Sequence, residues 1–278
     1  MKTIQIILSI LVFNVTLSCK TEKKQVEKGD GEFVLKDDFR PLFNGKNWDG
    51  WYLKLRNADS LMAQKVYAIE DGMIHVFKET PDSLDLNTGE NGTHGLFYNK
   101  ETFDRFIIRF EYKWGDKIAN NFEQFQYDAG LYYHVYDDAI WPKGLEYQVR
   151  YDHTKDQNHT GDFWATNVRI NKWYADDEGA YLPESEGGTL QEPKIREHRA
   201  KSDVRFNGLN DKWNQCEAIV MGDKYAIHKL NGEVVNVGTD LTHGQGILGF
   251  QSETAEIYYR DIEIMELDEF VPMEKFLE

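Results

Sequence analysis

The sequence predicts an all-β protein, a sandwich of two antiparallel sheets. Three observations lead there. Apolar and polar residues alternate with period two in several separate stretches, the mark of strands with one buried face. Glycine-containing turns recur at short intervals between those stretches. The 278-residue chain shows no amphipathic helix of convincing length, no coiled coil and no exact repeat. Many short strands joined by glycine turns are the pattern of a sandwich.

Composition narrows the class. Hydrophobic residues are 41% of the chain, ample for a core, and it carries 15 Tyr, 16 Phe and 7 Trp. Aromatic enrichment suits sheets and also flat surfaces on which sugars stack. The formal net charge of −16 argues against a nucleic-acid partner, whose phosphates would be repelled.

Taken in order, Met1-Lys2 and the apolar run from Ile4 to Leu17 form a signal peptide, assigned to residues 1–18, too short for a comfortable membrane span. Leu17-Ser18-Cys19-Lys20 looks like a bacterial lipobox, so Cys19 is expected to carry lipid and to hold the mature protein at the cell envelope, in the periplasm or on the outer-membrane surface. The lipid is then the chain's sole link to the membrane. Cys216 is left alone as a small buried apolar residue. Residues 19–37, rich in Lys, Glu and Gly, read as a flexible tether. The folded domain is placed at 38–268, with 269–278 as a tail.

Within the domain, Asn44-Gly45 is a turn, and 66–77 is two strands joined at Glu70-Asp71-Gly72. Residues 79–95 read as a loop. From Phe106, an alternating strand turns Phe106, Ile108, Phe110 and Tyr112 one way and Arg109, Glu111 and Lys113 the other. Gly130-Leu131-Tyr132-Tyr133-His134-Val135 and Gly144-Leu145-Glu146-Tyr147-Gln148-Val149-Arg150 repeat the pattern, with Leu131, Tyr133, Leu145, Tyr147 and Val149 facing the core. Residues 152–212 read as one long irregular region. The segments 213–221 and 224–230 form a hairpin across Gly222-Asp223, and Asn231-Gly232 turns into another strand. The last strands are 247–253 and 257–267. His228 is in phase with Ala226 and Leu230, which places it on the core side.

The chain has no glycine-rich phosphate loop before a helix, so no nicotinamide or flavin site is expected, and no cysteine cluster spaced for zinc. No Gly-x-Ser-x-Gly elbow occurs. Pro41-Leu42-Phe43-Asn44-Gly45-Lys46, with Gly50-Trp51 after it, opens a series of short motifs. The series continues through Glu70-Asp71-Gly72, Ala129-Gly130-Leu131-Tyr132-Tyr133, Leu145-Glu146-Tyr147-Gln148-Val149 and Lys212-Trp213-Asn214. It ends with His228, Asn231-Gly232, Gly249-Phe250-Gln251 and Asp261-Ile262-Glu263-Ile264. In order and spacing this set resembles the 3-keto-disaccharide hydrolase, or 3-keto-glucoside 1,2-lyase/hydratase, domain family over residues 39–267. The resemblance implies a concanavalin-like jelly-roll sandwich and an enzyme that cleaves glycosides oxidised at carbon 3. Members of that family often carry Asn-Ser-Gly where this chain has Asp128-Ala129-Gly130, and Arg where it has His134.

A 3-keto sugar has an acidified hydrogen on C2. A base removes it, the oxygen on C1 leaves by β-elimination, and hydration completes a net hydrolysis. Glu146 and His134 are the candidates for proton transfer, since both project from strands. Arg109, Glu111, Tyr132, Gln148, Gln251 and Glu253 are expected to bind substrate, with Trp164 or Trp173 stacking on the sugar. All these strands turn polar groups away from the core. Arg109, Glu111, Tyr132, His134, Glu146, Gln148, Gln251 and Glu253 are therefore expected on one concave floor, with 152–212 in its wall. A divalent metal on Glu146, His134 and a further acid is open. Two other readings stay open: a two-carboxylate jelly-roll glycoside hydrolase, and a non-catalytic glycan-binding surface lipoprotein.

Overall fold

The computed structural model describes residues 38–56, 60–78, 94–119, 125–201, 203–253 and 255–277. The expected signal peptide, Cys19 and the tether lie outside the described residues, as does most of the 79–95 loop. Among the described residues no helix is long and apolar enough to cross a membrane.

The chain opens with β1 (Arg40–Pro41), β2 (Trp51–Leu55), the short helix α1 (Ser60–Val66), β3 (Tyr67–Glu70) and β4 (Met73–Val76). Then come β5 (Gly95–Phe103), β6 (Arg105–Ile118), β7 (Tyr127–Val135), β8 (Gly144–Asp152) and β9 (Gln157–Asn158). The middle holds β10 (Phe163–Lys172), β11 (Tyr174–Ala175), β12 (Thr189–Leu190) and β13 (Lys194–His198). The last five are β14 (Asn214–Met221), β15 (Tyr225–Leu230), β16 (Glu233–Leu241), β17 (Gly246–Ser252) and β18 (Ala255–Glu266). The strands pair antiparallel in the order β2-β5-β17-β7-β8-β10-β16-β15-β14-β6-β18-β4-β3.

This order is a two-layer jelly-roll sandwich whose layers are joined by one bent strand. β10 pairs with β8 through Phe163–Thr166 and then with β16 through Ile170 and Lys172. Asn167, at φ 59°, marks the bend. Strands that bend in this way are how a chain passes from one sheet to the other. The region 152–212 is thus not irregular: it supplies β10 and β13, whose alternation is broken by the bend.

Between the layers lies an aromatic core. Leu131, Tyr133, Leu145, Tyr147, Val149 and Phe250, the residues expected inside, are each 0% exposed. Phe110 of one layer meets Phe250 and Tyr147 of the other edge-on, with ring centroids 5.1 and 5.8 Å apart. The expected turns form for the expected reason. Asp71-Gly72 and Asn231-Gly232 have positive φ at both positions, as a two-residue hairpin loop with the strands' own twist requires. Cys216 is buried and free. Residues 269–277, set apart from sequence as a tail, return to the sandwich: Phe276 and Val271 are buried, and the Tyr225 hydroxyl donates to the Val271 carbonyl.

Candidate active site

In an antiparallel sheet, residues directly opposite one another share a face. The register therefore fixes which side chains stand together on the face of the β2-β5-β17-β7-β8-β10 layer that points away from the core. A first row crosses it as Tyr52, Tyr98, Gly249, Tyr132, Glu146, Trp164 and, on β13, Glu197. A second row is Lys54, Leu96, Gln251, Gly130 and Gln148. A third holds His94, Glu253, Asp128 and Arg150, with Asp128 opposite Arg150 and His94 Nε2 2.8 Å from Glu253.

Two glycines open the middle of the face. A Cβ on Gly130 would meet Glu146 Oε1 at 2.2 Å, so the Glu146 carboxylate leans over this position and would have to shift if it carried a side chain. A Cβ on Gly249 would meet the Tyr98 ring at 2.6 Å.

This face is polar but not solvated. Tyr132, Glu146 and Gln251 are 1% exposed, Gln148 4% and Arg150 5%. The 136–143 loop crosses one side: Tyr98 donates to the Ala139 carbonyl, Lys54 to that of Asp138, and the Trp141 ring lies 4.7 Å from that of His94. On the other side the Arg150 guanidinium stacks 4.5 Å from the Phe125 ring.

Burial, and next the negative charges of Asp128 and Glu253, raise the Glu146 pKa well above the usual carboxylate range. Asp128 is raised likewise, by burial first and by Glu253 second, with Arg150 opposing. Burial and the neighbouring Glu146 charge keep Tyr132 protonated, and its phenol hydrogen-bonds to Glu146. Among the described residues, none donates to Glu146 Oε1, Gln148 Oε1 or Gln251 Oε1, all of them buried. A buried acceptor left unpaired costs about 1–3 kcal/mol, so three side by side mark a surface built for something else to donate to.

Arg150 is committed to its neighbours. Its Nη2 is 3.2 Å from Asp162 Oδ2 and also binds Glu197. His159, Asp162 and Glu197 bring three ligand-type atoms within 4.8 Å of one another, the one such group among the described residues. Arg150 already supplies that group's positive charge, so the group does not suit a cation.

Several sequence expectations need correcting here. Arg109 and Glu111 do not lie on this face. They stand on β6, in the opposite layer, where Arg109 pairs with Glu217 and stacks on Phe39, and Glu111 Oε2 pairs with Nε and Nη2 of Arg260. Both layers turn polar residues away from the core, but in opposite directions. His134 also leaves the row. Between Gly249 and Ile247 of β17, β7 runs from Tyr132 to Val135, one residue more, so β7 bulges there and His134 takes φ 53°. Its ring is buried edge-on to Phe106, Tyr133 and His243, and burial depresses its pKa to about 4. Glu146 and His134 are therefore not brought together to hold a metal. Trp173 is a core residue, its Nε1 donating to Asn236, whereas half-buried Trp164 stands beside Glu146. His228 is in the core as expected, between Tyr133 and the Gly161 carbonyl.

Tyr132, Glu146, Gln148, Trp164, Gln251 and Glu253 do share the face. Asp128 and His94 were not on the sequence-derived list of site residues. Asp128 could have been found, since it lies in phase with Gly130 and Tyr132, two and four residues on. His94 could not, because it falls at the edge of a segment with no alternation.

The sequence model of the 3-keto-alpha-glucoside-1,2-lyase-like domain matches residues 38–265. No curated protein matches the chain. Among solved structures, the fold is similar to that of a Parabacteroides distasonis ATCC 8503 protein given a provisional glycosyl hydrolase assignment, at 20% identity and TM-score 0.47, covering 84% of this chain and 99% of that one. It is also similar to a carbohydrate-binding module from Bacillus subtilis, at 11% identity and TM-score 0.40, covering 77% and 93%. A third is a Bacillus subtilis protein of unknown function with a galectin-like fold, at 14% identity and TM-score 0.42, covering 82% and 94%.

Proposed function

Because the chain belongs to the 3-keto-alpha-glucoside-1,2-lyase-like domain family, we propose that it cleaves glycosides oxidised at carbon 3, with Glu146 moving the proton at C2. The observation that carries this reading is the state of Glu146: a buried carboxylate of raised proton affinity, one oxygen without a donor, beside a protonated phenol. Such a carboxylate is a stronger base than one in water, and a positioned base is worth roughly 10²–10⁴-fold in rate.

The steps balance. Glu146 takes the C2 proton, and the C2–H electrons pass into the C3 carbonyl as an enolate. The enolate collapses to a C1=C2 double bond and expels the aglycone oxygen from C1, which picks up a proton. Tyr132, which can donate but not ionise at neutral pH, suits either the enolate oxygen or the leaving oxygen. In a hydration step water adds at C1, and Glu146 returns its proton to C2.

The expected localisation belongs to the same proposal. Cys19 carries the lipid and tethers the domain to the envelope, two acyl chains being needed for a stable anchor. A Cys19→Ala chain recovered in the soluble fraction is the expected outcome, and one that stays with membranes after a salt wash contradicts it.

The test of the activity is direct. Purified protein is incubated with a 3-keto-disaccharide and with its unoxidised parent, each with and without chelator. Release of the aglycone together with the unsaturated ketone, from the oxidised substrate alone, is expected. Glu146→Gln keeps shape and hydrogen bonding and should lower that rate at least ~10²-fold. Asp128 on β7 and Glu253 just after β17 favour a second reading, a two-carboxylate hydrolase. Cleavage of the unoxidised parent would select it, and binding of plain glycans without any cleavage would select a binding module.

A further inference from the structure

The second row of the face contains two amides on either side of Gly130, Gln251 and Gln148. Both are buried, and both have the nitrogen end committed. Gln148 Nε2 donates to Asp128 Oδ1 at 3.4 Å, and Gln251 Nε2 donates to a carboxylate oxygen of Glu253. With each NH₂ turned to a carboxyl oxygen, the carbonyl end of each amide points the other way. The other ends are Gln148 Oε1 and Gln251 Oε1, to which no described residue donates. Two strand spacings separate the two residues across Gly130, about 10 Å in all, close to the span of a pyranose ring with its substituents. Glu146 Oε1, also unpaired, lies over the glycine between them.

We propose that Gln148 and Gln251 form a polarity-locked pair of acceptors that reads hydroxyl donors on a neutral sugar ring. Asp128 and Glu253 are the positioning residues that lock it. The proposal rests on the reading of this face as a sugar site and does not require the lyase chemistry. It specifies orientation. A carbonyl, a fluorine, an ether or a sulfate ester cannot donate, so none of them fits over either amide oxygen. For a 3-keto sugar this keeps the C3 oxygen away from the glutamine row, and the groups left to meet it are donors such as the Tyr132 phenol. A site built to hydrogen-bond a hydroxyl rejects an analogue that lacks it far more strongly than an apolar pocket would.

The experiment is a titration of the wild-type protein, by calorimetry or ligand-observed NMR, with methyl glucoside and its 2-, 4- and 6-deoxyfluoro derivatives. Fluorine keeps size and polarity but cannot donate. Two positions should lose at least ~10-fold in affinity, and a sulfate ester at either should bind no better than the fluoride. The near-isosteric variants Gln148→Met and Gln251→Met should each bind the parent sugar more weakly, and each should cease to discriminate at one of the two positions. Equal binding of all four sugars by wild type, no binding of any, or discrimination unchanged in both variants would overturn the proposal. The wild-type panel needs no variant to fold. Turnover of a 3-keto-disaccharide is read on the same preparation. Cleavage without hydroxyl discrimination removes the acceptor pair and leaves the lyase, and discrimination without cleavage does the reverse.

Discussion

At the scale of single residues, Glu146 sets function against stability. Its pKa is raised in the folded state, so above the unfolded value near 4.3 folding must take up a proton or bury the charge, and stability is lost as pH rises toward the folded value. Glu146→Gln removes that cost. We expect the variant to melt no lower than wild type at pH 7, and to melt higher if the site is otherwise undisturbed, while turnover falls. A clear drop in melting temperature would show that the carboxylate is structural. The same logic gives a pH profile. In the proposed reaction Glu146 acts in its base form, so kcat/KM should rise with pH along a limb well above the ordinary carboxylate range. The second-largest cause of the shift is the Asp128 charge. Asp128→Asn keeps the shape of that side chain and should move the limb to lower pH. Phase was legible here from sequence: Tyr132, Glu146, Gln148, Gln251 and Glu253 all leave the core as their alternation requires. The unsatisfied oxygens were not, because an orphan acceptor is a property of three strands at once.

At the scale of elements, the sequence shows which side of a strand is wet but not which layer the strand joins. Arg109 and Glu111 were in the correct phase and on the wrong side of the molecule, since a sandwich has two outward faces and alternation is blind to the choice. His134 failed for a second reason. One extra residue on β7 ends the period-two pattern, and no turn residue marks it. The bend at Asn167 hid β10 in the same way. Turn chemistry, by contrast, was legible because positive φ demands Gly, Asn or Asp. Gly232, at φ 87°, has open space around its Cα, so Gly232→Ala would suffer from conformation alone. A denaturant melt should show a loss of about 1–2 kcal/mol, with no change in sugar binding, because the turn belongs to the opposite layer.

At the scale of the whole molecule, the aromatic core carries buried imidazoles that stay neutral. Burial depresses His228 to about 3, and His134 and His198 to about 4. An unfolded histidine titrates near 6.5. Above that pH neither state is protonated and the contribution is intact. As pH falls below it, the unfolded chain binds protons that the folded chain refuses, and stability declines until the folded values are reached. Each such histidine contributes a slope of about 1.4 kcal/mol per pH unit in that window. Unfolding free energies measured at pH 7, 6 and 5 should fall steeply for wild type, and His228→Gln should remove about that slope from the curve whatever its absolute stability. An unchanged slope would mean that His228 is protonated in the fold. The strand order has a consequence of a different kind. β17 lies between β5 and β7, yet it is the next-to-last strand in the chain, and β1 closes against the last, β18. Pairings so distant in sequence pay their loop-closure entropy before any contact rewards it, and sheets built from them fold slowly. The glutamine row is therefore assembled late. While the chain is still emerging, β5 and β7 have no partner on their facing edges, and the two halves of the polar outer face come together only when the C-terminal strands arrive to fill the gap.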